Sequence, residues 1–157
     1  MSRRRRAEKR RVAADPIYNS ELAAKFINKM MYGGNKTVAA TLFYGAIDKL
    51  SESAPDKNGF VLFETAVRNV KPLNEVKSRR IGGSNYQVPV KVRNDRQVSL
   101  AIRWIIGESR RRKEKNYSLR LAAELKDAAN GVGATMKKRE NVHKMADANK
   151  AFSHFKF

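Results

Sequence analysis

Charge is segregated along this chain, and that segregation decides which stretches can build a core. Residues 1–12 carry seven basic side chains and one acidic, residues 71–96 seven and two, residues 108–115 five and two, and residues 136–157 six and two. Residues 13–70 carry six of each sign, residues 116–135 balance, and residues 97–107 hold only Arg103. All but one unit of the formal net charge of +19 therefore lies in four segments, with nearly neutral stretches between them. A solvated surface ordinarily mixes both signs. The neutral, apolar-rich stretches read as a packed body, and the cationic ones as a contact surface for a polyanion. No basic run is paired with a strongly apolar face, which favours nucleic acid over an anionic membrane.

At 157 residues and 41% hydrophobic, the chain is long and apolar enough for one domain with its own core. No run approaches the ~18 apolar residues of a membrane span. The opening Met1–Arg11 has no apolar region behind its cations, so it does not read as a secretory signal. With no cysteine there is no disulfide framework or thiolate metal site, which points to a reducing, intracellular compartment.

Apolar spacing predicts helices over most of the body. Residues 20–31 form the first, with Ser20 as cap, Leu22, Phe26, Ile27 and Met30 in stripe, and Gly33-Gly34 at its end. Asn35 can cap a second, striped by Ala39, Phe43, Ala46, Ile47 and Leu50. After the turn cluster Pro55–Gly59 comes a third, with Phe60, Phe63, Val67 and Val70, stopped by Pro72. The period then changes. Tyr86, Val88, Val90 and Val92 alternate with polar or proline positions, and Val76, Ser78 and Arg80 alternate on the other side of Gly82-Gly83. This predicts a β-hairpin over about 73–92, with Pro89 confining it to edge material. Helical spacing returns in a long fourth helix, capped by Asn94 or Asp95, with Arg110–Lys113 in its last turns. A fifth runs from Tyr117 to Asn130-Gly131, and a thinly apolar sixth covers about 134–152. The expected fold is mainly α, a bundle of about six helices with one hairpin protruding between helices three and four. An isolated two-stranded hairpin is marginal in water, so this one reads as an arm stabilised by what it touches.

No residues assemble into a catalytic or metal centre. Gly33-Gly34-Asn35-Lys36-Thr37 lacks the spacing of a phosphate-binding loop and follows a helix rather than a strand. The two histidines, His143 and His154, have no carboxylate at zinc-ligand spacing to both. Ser84 and Thr37 have no local His/Asp support, and Trp104 reads as core. The basic segments suit phosphate instead: arginine forks grip it bidentately, and a flexible Arg-rich tail can order on an RNA crevice. Composition does not decide between RNA and DNA. Several basic extensions on a compact neutral body suit a folded RNA.

The stretch Glu75-Val-Lys-Ser-Arg-Arg-Ile-Gly-Gly-Ser-Asn-Tyr-Gln-Val-Pro-Val90 closely resembles the hairpin of the universal S-seven family of bacterial small-subunit ribosomal proteins. Asp15-Pro16 and Lys25-Phe-Ile-Asn28 resemble its N-terminal motif, and Leu100-Ala-Ile-Arg-Trp-Ile105 its long fourth helix. Leu119-Arg-Leu-Ala122 and the closing run Met136–Phe157 are similar too. The resemblance implies a non-enzymatic, cofactor-free structural protein that binds the 3′ major domain of 16S rRNA and nucleates assembly of the small-subunit head. It also implies exit-site transfer RNA and messenger RNA nearby, neighbouring small-subunit proteins such as nine and eleven, and a cytoplasmic location. It assigns rRNA contact to Arg3, Arg4, Arg5, Arg6, Lys9, Arg10, Arg11, Lys25, Asn28, Lys29, Lys36, Arg110, Arg111, Arg112, Lys113 and Lys115. It places Arg79, Arg80, Ile81, Gly82, Gly83, Lys137, Lys138, Arg139, His143 and Lys144 near transfer RNA. Residues 1–12 are then a tail that orders on rRNA, and residues 13–157 one helical domain.

The chain departs from the family pattern in places. Gly33-Gly34-Asn35-Lys36 stands where an acidic residue and Gly-Lys-Lys are usual, so one rRNA-facing cation is missing. Asn94-Asp95 replaces a proline-containing start to the fourth helix. Phe155-Lys156-Phe157 replaces Tyr-Arg-Trp, keeping bulk and charge but losing a hydroxyl and an indole donor. The alternative reading is a nucleoid-type DNA-binding protein. An RNA-modifying enzyme lacks any candidate nucleophile, metal site or cofactor loop.

Overall fold

The structure, a computed structural model, describes Arg10 and residues 12–54 and 58–155. Three helices, α1 (Glu21–Met30), α2 (Lys36–Glu52) and α3 (Gly59–Val70), precede a hairpin of β1 (Asn74–Ile81) and β2 (Ser84–Lys91). Then come α4 (Asn94–Arg111), α5 (Tyr117–Ala129), α6 (Ala134–Ala148) and a short 3-10 helix, Lys150–Phe155. The mainly α bundle with a hairpin between its third and fourth helices is the architecture expected. Residues 1–9, 11, 55–57, 156 and 157 lie outside the described residues, and with them most of the tail, most of the Pro55–Gly59 turn cluster and the end of Phe155-Lys156-Phe157.

The core follows the apolar stripes. Phe26, Phe43 and Phe63, from α1, α2 and α3, are each fully buried. Their ring centroids lie 5.2–5.5 Å apart, two of the three pairs edge-on, as the ring quadrupole favours. Ile105 of α4 and Leu121 and Leu125 of α5 close the same cluster, and Trp104 is buried with them as expected. Gly59 makes the α2–α3 junction possible: a Cβ there would stand 2.5 Å from the Ile47 carbonyl. Ahead of α1, buried Asp15 accepts the N–H groups of Ile17 and Tyr18 and the hydroxyl of Tyr44, pinning the N-terminal segment to α2.

One expected helix cap forms, and four expected helix ends differ. Ser20 is extended (φ −120°, ψ 125°) and its hydroxyl caps Ala23 N–H. Asn35 has ψ 79°, which is not the extended geometry of a cap, and its side chain makes no capping bond. Neither Asn94 nor Asp95 caps α4. Both lie inside its first turn, behind an extended Arg93. Arg112 and Lys113 fall outside α4, because Arg112 turns extended (ψ 157°) towards carboxylates of α5. The sixth helix ends at Ala148, and the chain tightens into the 3-10 turn rather than continuing to 152.

The hairpin register runs from Asn74 opposite Lys91 to Ile81 opposite Ser84. Gly82 (φ +55°) and Gly83 (φ +90°) form the two-residue turn, both in the left-handed region such a turn demands. Val88 is buried and Tyr86 half-buried, as alternation predicts. Pro89, on the opposite face, is buried too, so the base is covered on both sides. Part of what stabilises the arm comes from α6 and the 3-10 helix after it. The Tyr86 ring meets Phe152 and Phe155 at 5.4 and 5.3 Å, and Leu73 N–H donates to His143 Nε2 of α6 at 3.0 Å.

Candidate nucleic-acid interface

α1 buries Ala23, Ala24, Phe26, Ile27 and Met30, which leaves Lys25, Asn28 and Lys29 on its outer side. That side forms one wall of a groove of about 730 Å³, shared with the end of the N-terminal segment and the first half of α4. Arg10, Lys25 and Lys29 line it beside Asn94, Ser99 and Ile102. Two carboxylates, Glu21 and Asp95, share the lining. The Lys25–Glu21 pair, 3.2 Å and largely exposed, holds Lys25 weakly and leaves it available to a phosphate. Arg10 lies at the mouth of the Arg-rich tail. Arg3, Arg4, Arg5, Arg6, Lys9 and Arg11 lie outside the described residues. Lys36 is exposed at the start of α2, where the helix dipole repels a cation and no acidic residue compensates it.

The 110–115 cluster divides by partner. The Arg110 guanidinium donates to the Met30 carbonyl at 3.1 Å, satisfying an orphan acceptor at the end of α1. Arg111 reaches Glu108 at 3.0 Å but stays 74% exposed, so a stronger anion can recruit it. Lys113 and Lys115 are exposed and form no ion pair among the described residues. Arg112 is internal. It pairs with Glu124 at 2.7 Å, with Asp127, and with Glu114 at 3.2 Å. Burial alone would lower its affinity for the proton; the hydrogen bonds to Glu124 and Asp127 reverse that and raise it. Glu114 is held below the usual carboxylate range by its own backbone N–H and by Arg112. Glu124, almost fully buried, also accepts Thr135 N–H at 3.1 Å and so caps the start of α6.

The second set divides likewise. Arg80, Gly82 and Gly83 are exposed at the hairpin tip, with Arg79 and Ile81 half-covered. On α6, Lys137 and Lys144 are exposed, while three neighbours face inward: Lys138 pairs with Glu108 at 3.3 Å, Arg139 donates to the Asn69 carbonyl, and His143 accepts from Leu73. These bonds dock α6 against α3, α4 and the foot of the arm, so the hairpin and the last helix form one body.

Arg103 is a cation the charge segments passed over. It is exposed on α4 and has no ion-pair partner among the described residues. It shares a face with Arg96 and Arg110, spaced every seven residues, and that spacing is the sequence signal that could have found it. No group of His, Cys, Asp and Glu capable of holding a metal occurs among the described residues, and no helix is long and apolar enough to cross a membrane.

A nearly neutral helical body carrying separate cationic surfaces is the arrangement of a protein that meets a polyanion. Comparison with known proteins narrows this. Residues 2–150 match the family described as Ribosomal protein S7p/S5e, so the chain belongs to that family, whose members are structural, non-enzymatic components of the ribosome. It is 57% identical over 155 residues to the small ribosomal subunit protein uS7 of Nautilia profundicola, 54% to that of Helicobacter hepaticus and 52% to that of Campylobacter jejuni. In each case 99% of both chains is covered.

Proposed function

We propose that this chain is a primary 16S rRNA-binding protein of the small ribosomal subunit, which nucleates folding of the 3′ major domain and sits in the subunit head of the bacterial cytoplasmic ribosome. The observation that carries this reading is the α1–α4 groove. It gathers Arg10, Lys25 and Lys29 from separate parts of the sequence onto one face, at the point where the Arg-rich tail joins the body. Exposed Lys36, Arg103, Arg110, Arg111, Lys113 and Lys115 add cations outside the groove, and exposed Asn28 adds a hydrogen-bonding amide on α1. Phosphate contacts there position the protein on folded RNA, and exposed Arg forks supply the bidentate ones. Arg112 serves the same function indirectly, by fixing the segment that carries Lys113 and Lys115.

The hairpin tip, with Lys137 and Lys144, is the second contact, towards exit-site transfer RNA and the messenger path. Neighbouring proteins such as nine and eleven adjoin the same head region. The full-length match to ribosomal relatives supports this over a nucleoid role on duplex DNA.

The test is equilibrium binding of the full chain to a 16S 3′ major-domain transcript across a salt series, against duplex DNA of equal length. Each phosphate contact contributes about 0.7–0.9 to the log–log slope. Removing residues 1–12 should weaken RNA binding and flatten the slope. Equal affinity for the duplex would favour the nucleoid reading, and an unchanged slope would remove the tail from the interface.

A further inference from the structure

We propose that a hollow between the end of α1 and the start of α2 holds one unstacked base of the bound RNA, with Tyr32 as its stacking face. The inference rests on the RNA-binding reading above and names a subsite within it. The hollow measures about 290 Å³ and is walled by Met30, Val38, Ala39, Leu42 and Tyr117, with Tyr32, Asn35 and Arg110 completing the lining. Tyr32 is 85% exposed, more than any other large apolar side chain among the described residues. Its carbonyl accepts Asn35 N–H at 3.2 Å, but its ring has no aromatic neighbour and its hydroxyl no hydrogen-bond partner among them. Val38 beside it is 56% exposed. A tyrosine ring and a valine left in water at one spot gain nothing from this chain's own packing, and apolar patches of that kind mark contacts.

The surroundings select the occupant. A volume at the bottom of the small-ligand range suits one planar ring rather than a bound helix or strand. No carboxylate lines the hollow, in contrast to the α1–α4 groove with its Glu21 and Asp95. Arg110 lies on its wall and exposed Lys36 begins the adjoining helix, so cations stand where the phosphates flanking a base would run. The Asn35 amide makes no capping bond to its own helix, and it offers both a donor and an acceptor to a base edge. Gly33 and Gly34 complete the approach: nothing lies within 4 Å of where a Cβ would stand on either, so the turn is open on its outer side. Single-stranded RNA is read in this way, by unstacked bases laid on aromatic rings beside arginine planes.

The experiment compares the wild-type chain with Tyr32→Ala and Tyr32→Phe on the 16S 3′ major-domain transcript. Tyr32→Ala should weaken binding by about 5- to 150-fold, the range given by loss of one base–aromatic stack. Tyr32→Phe keeps the ring and should stay within about twofold of wild type. The slope against salt should be the same for all three, because no charge changes. Thermal midpoints should be unshifted, since the side chain is exposed. Wild-type affinity in Tyr32→Ala overturns the proposal, as does an equal loss in Tyr32→Phe. If Tyr32→Ala binds the transcript normally but fails to enter subunits reconstituted with the other proteins, the hollow takes a protein segment and the proposal is again wrong. Failure of the wild-type chain to bind the transcript would instead bring down the RNA-binding reading, and this subsite with it.

Discussion

Arg112, itself partly exposed, pairs with buried Glu124 and so joins the end of α4 to α5, with Nε donating to Oε2 at 2.7 Å. Glu124 is 1% exposed and its other oxygen caps α6, so this one carboxylate ties three elements together.

Removing the partner of a buried charge costs up to about 3–5 kcal/mol, and here the charge left uncompensated is that of Glu124. Arg112→Ala should therefore lower the denaturant midpoint of the free protein by an amount within that limit. Arg111→Ala, one residue away and largely exposed, should leave the midpoint within about 0.5 kcal/mol of wild type and weaken RNA binding instead. Were the two effects exchanged, the internal assignment of Arg112 would be wrong.

Phe63 stands fully buried between Phe26 and Phe43. Phe63→Ala should destabilise the RNA-free protein by about 3–5 kcal/mol. An unshifted unfolding curve would show that the three-helix core does not form without RNA.

Tyr44 supplies a pH test. Its phenol is pushed up to about 12, first by burial and then by its hydrogen bond to Asp15. An unfolded tyrosine titrates near pH 10, so the native state holds this proton more tightly. Its contribution to stability is complete below about pH 10 and is lost as pH rises through about 12. Tyr44→Phe has no such proton. It should be less stable at neutral pH by about 1.5–3 kcal/mol, for a lost bond to a charged acceptor, yet lose stability less steeply above pH 10. Tyr18, raised chiefly by burial, supplies part of the slope that remains. Parallel curves for the two proteins would place the alkaline loss elsewhere.

At the hairpin tip, Gly82 and Gly83 both need positive φ, which a Cβ makes costly. Replacing both with valine should distort the tip while leaving affinity for the rRNA fragment within about twofold. In assembled subunits, occupancy by exit-site transfer RNA should fall. Loss of fragment binding with normal occupancy would move the tip into the primary interface.

Much of the fold was legible because it rests on local periodicity. The stripes through Phe26, Phe43 and Phe63 and the alternation around Gly82-Gly83 are short-range patterns. Caps were less legible: Ser20, Asn35 and Asn94 are equally suitable by residue type, and only backbone geometry separates Ser20 from the others. The candidate interface was legible as segments of charge but not as individual side chains. Arg111 and Arg112 look alike in sequence. Arg112 is turned inward by Glu124 and Asp127, which lie a helix away, and Lys138, Arg139 and His143 are engaged by α4, the end of α3 and the β1 approach. Such pairings join distant positions and leave no periodic trace.

The contact of Tyr86 with Phe152 and Phe155 sets an order on biosynthesis. The three-phenylalanine core uses residues that emerge early, so the body can pack while the chain is still growing. The arm's brace is encoded in Lys150–Phe155, downstream of every other element of the described fold. Until those residues leave the exit tunnel, the hairpin lacks its aromatic brace, and a chain truncated before Phe152 is left with a folded body and an arm held only at its base.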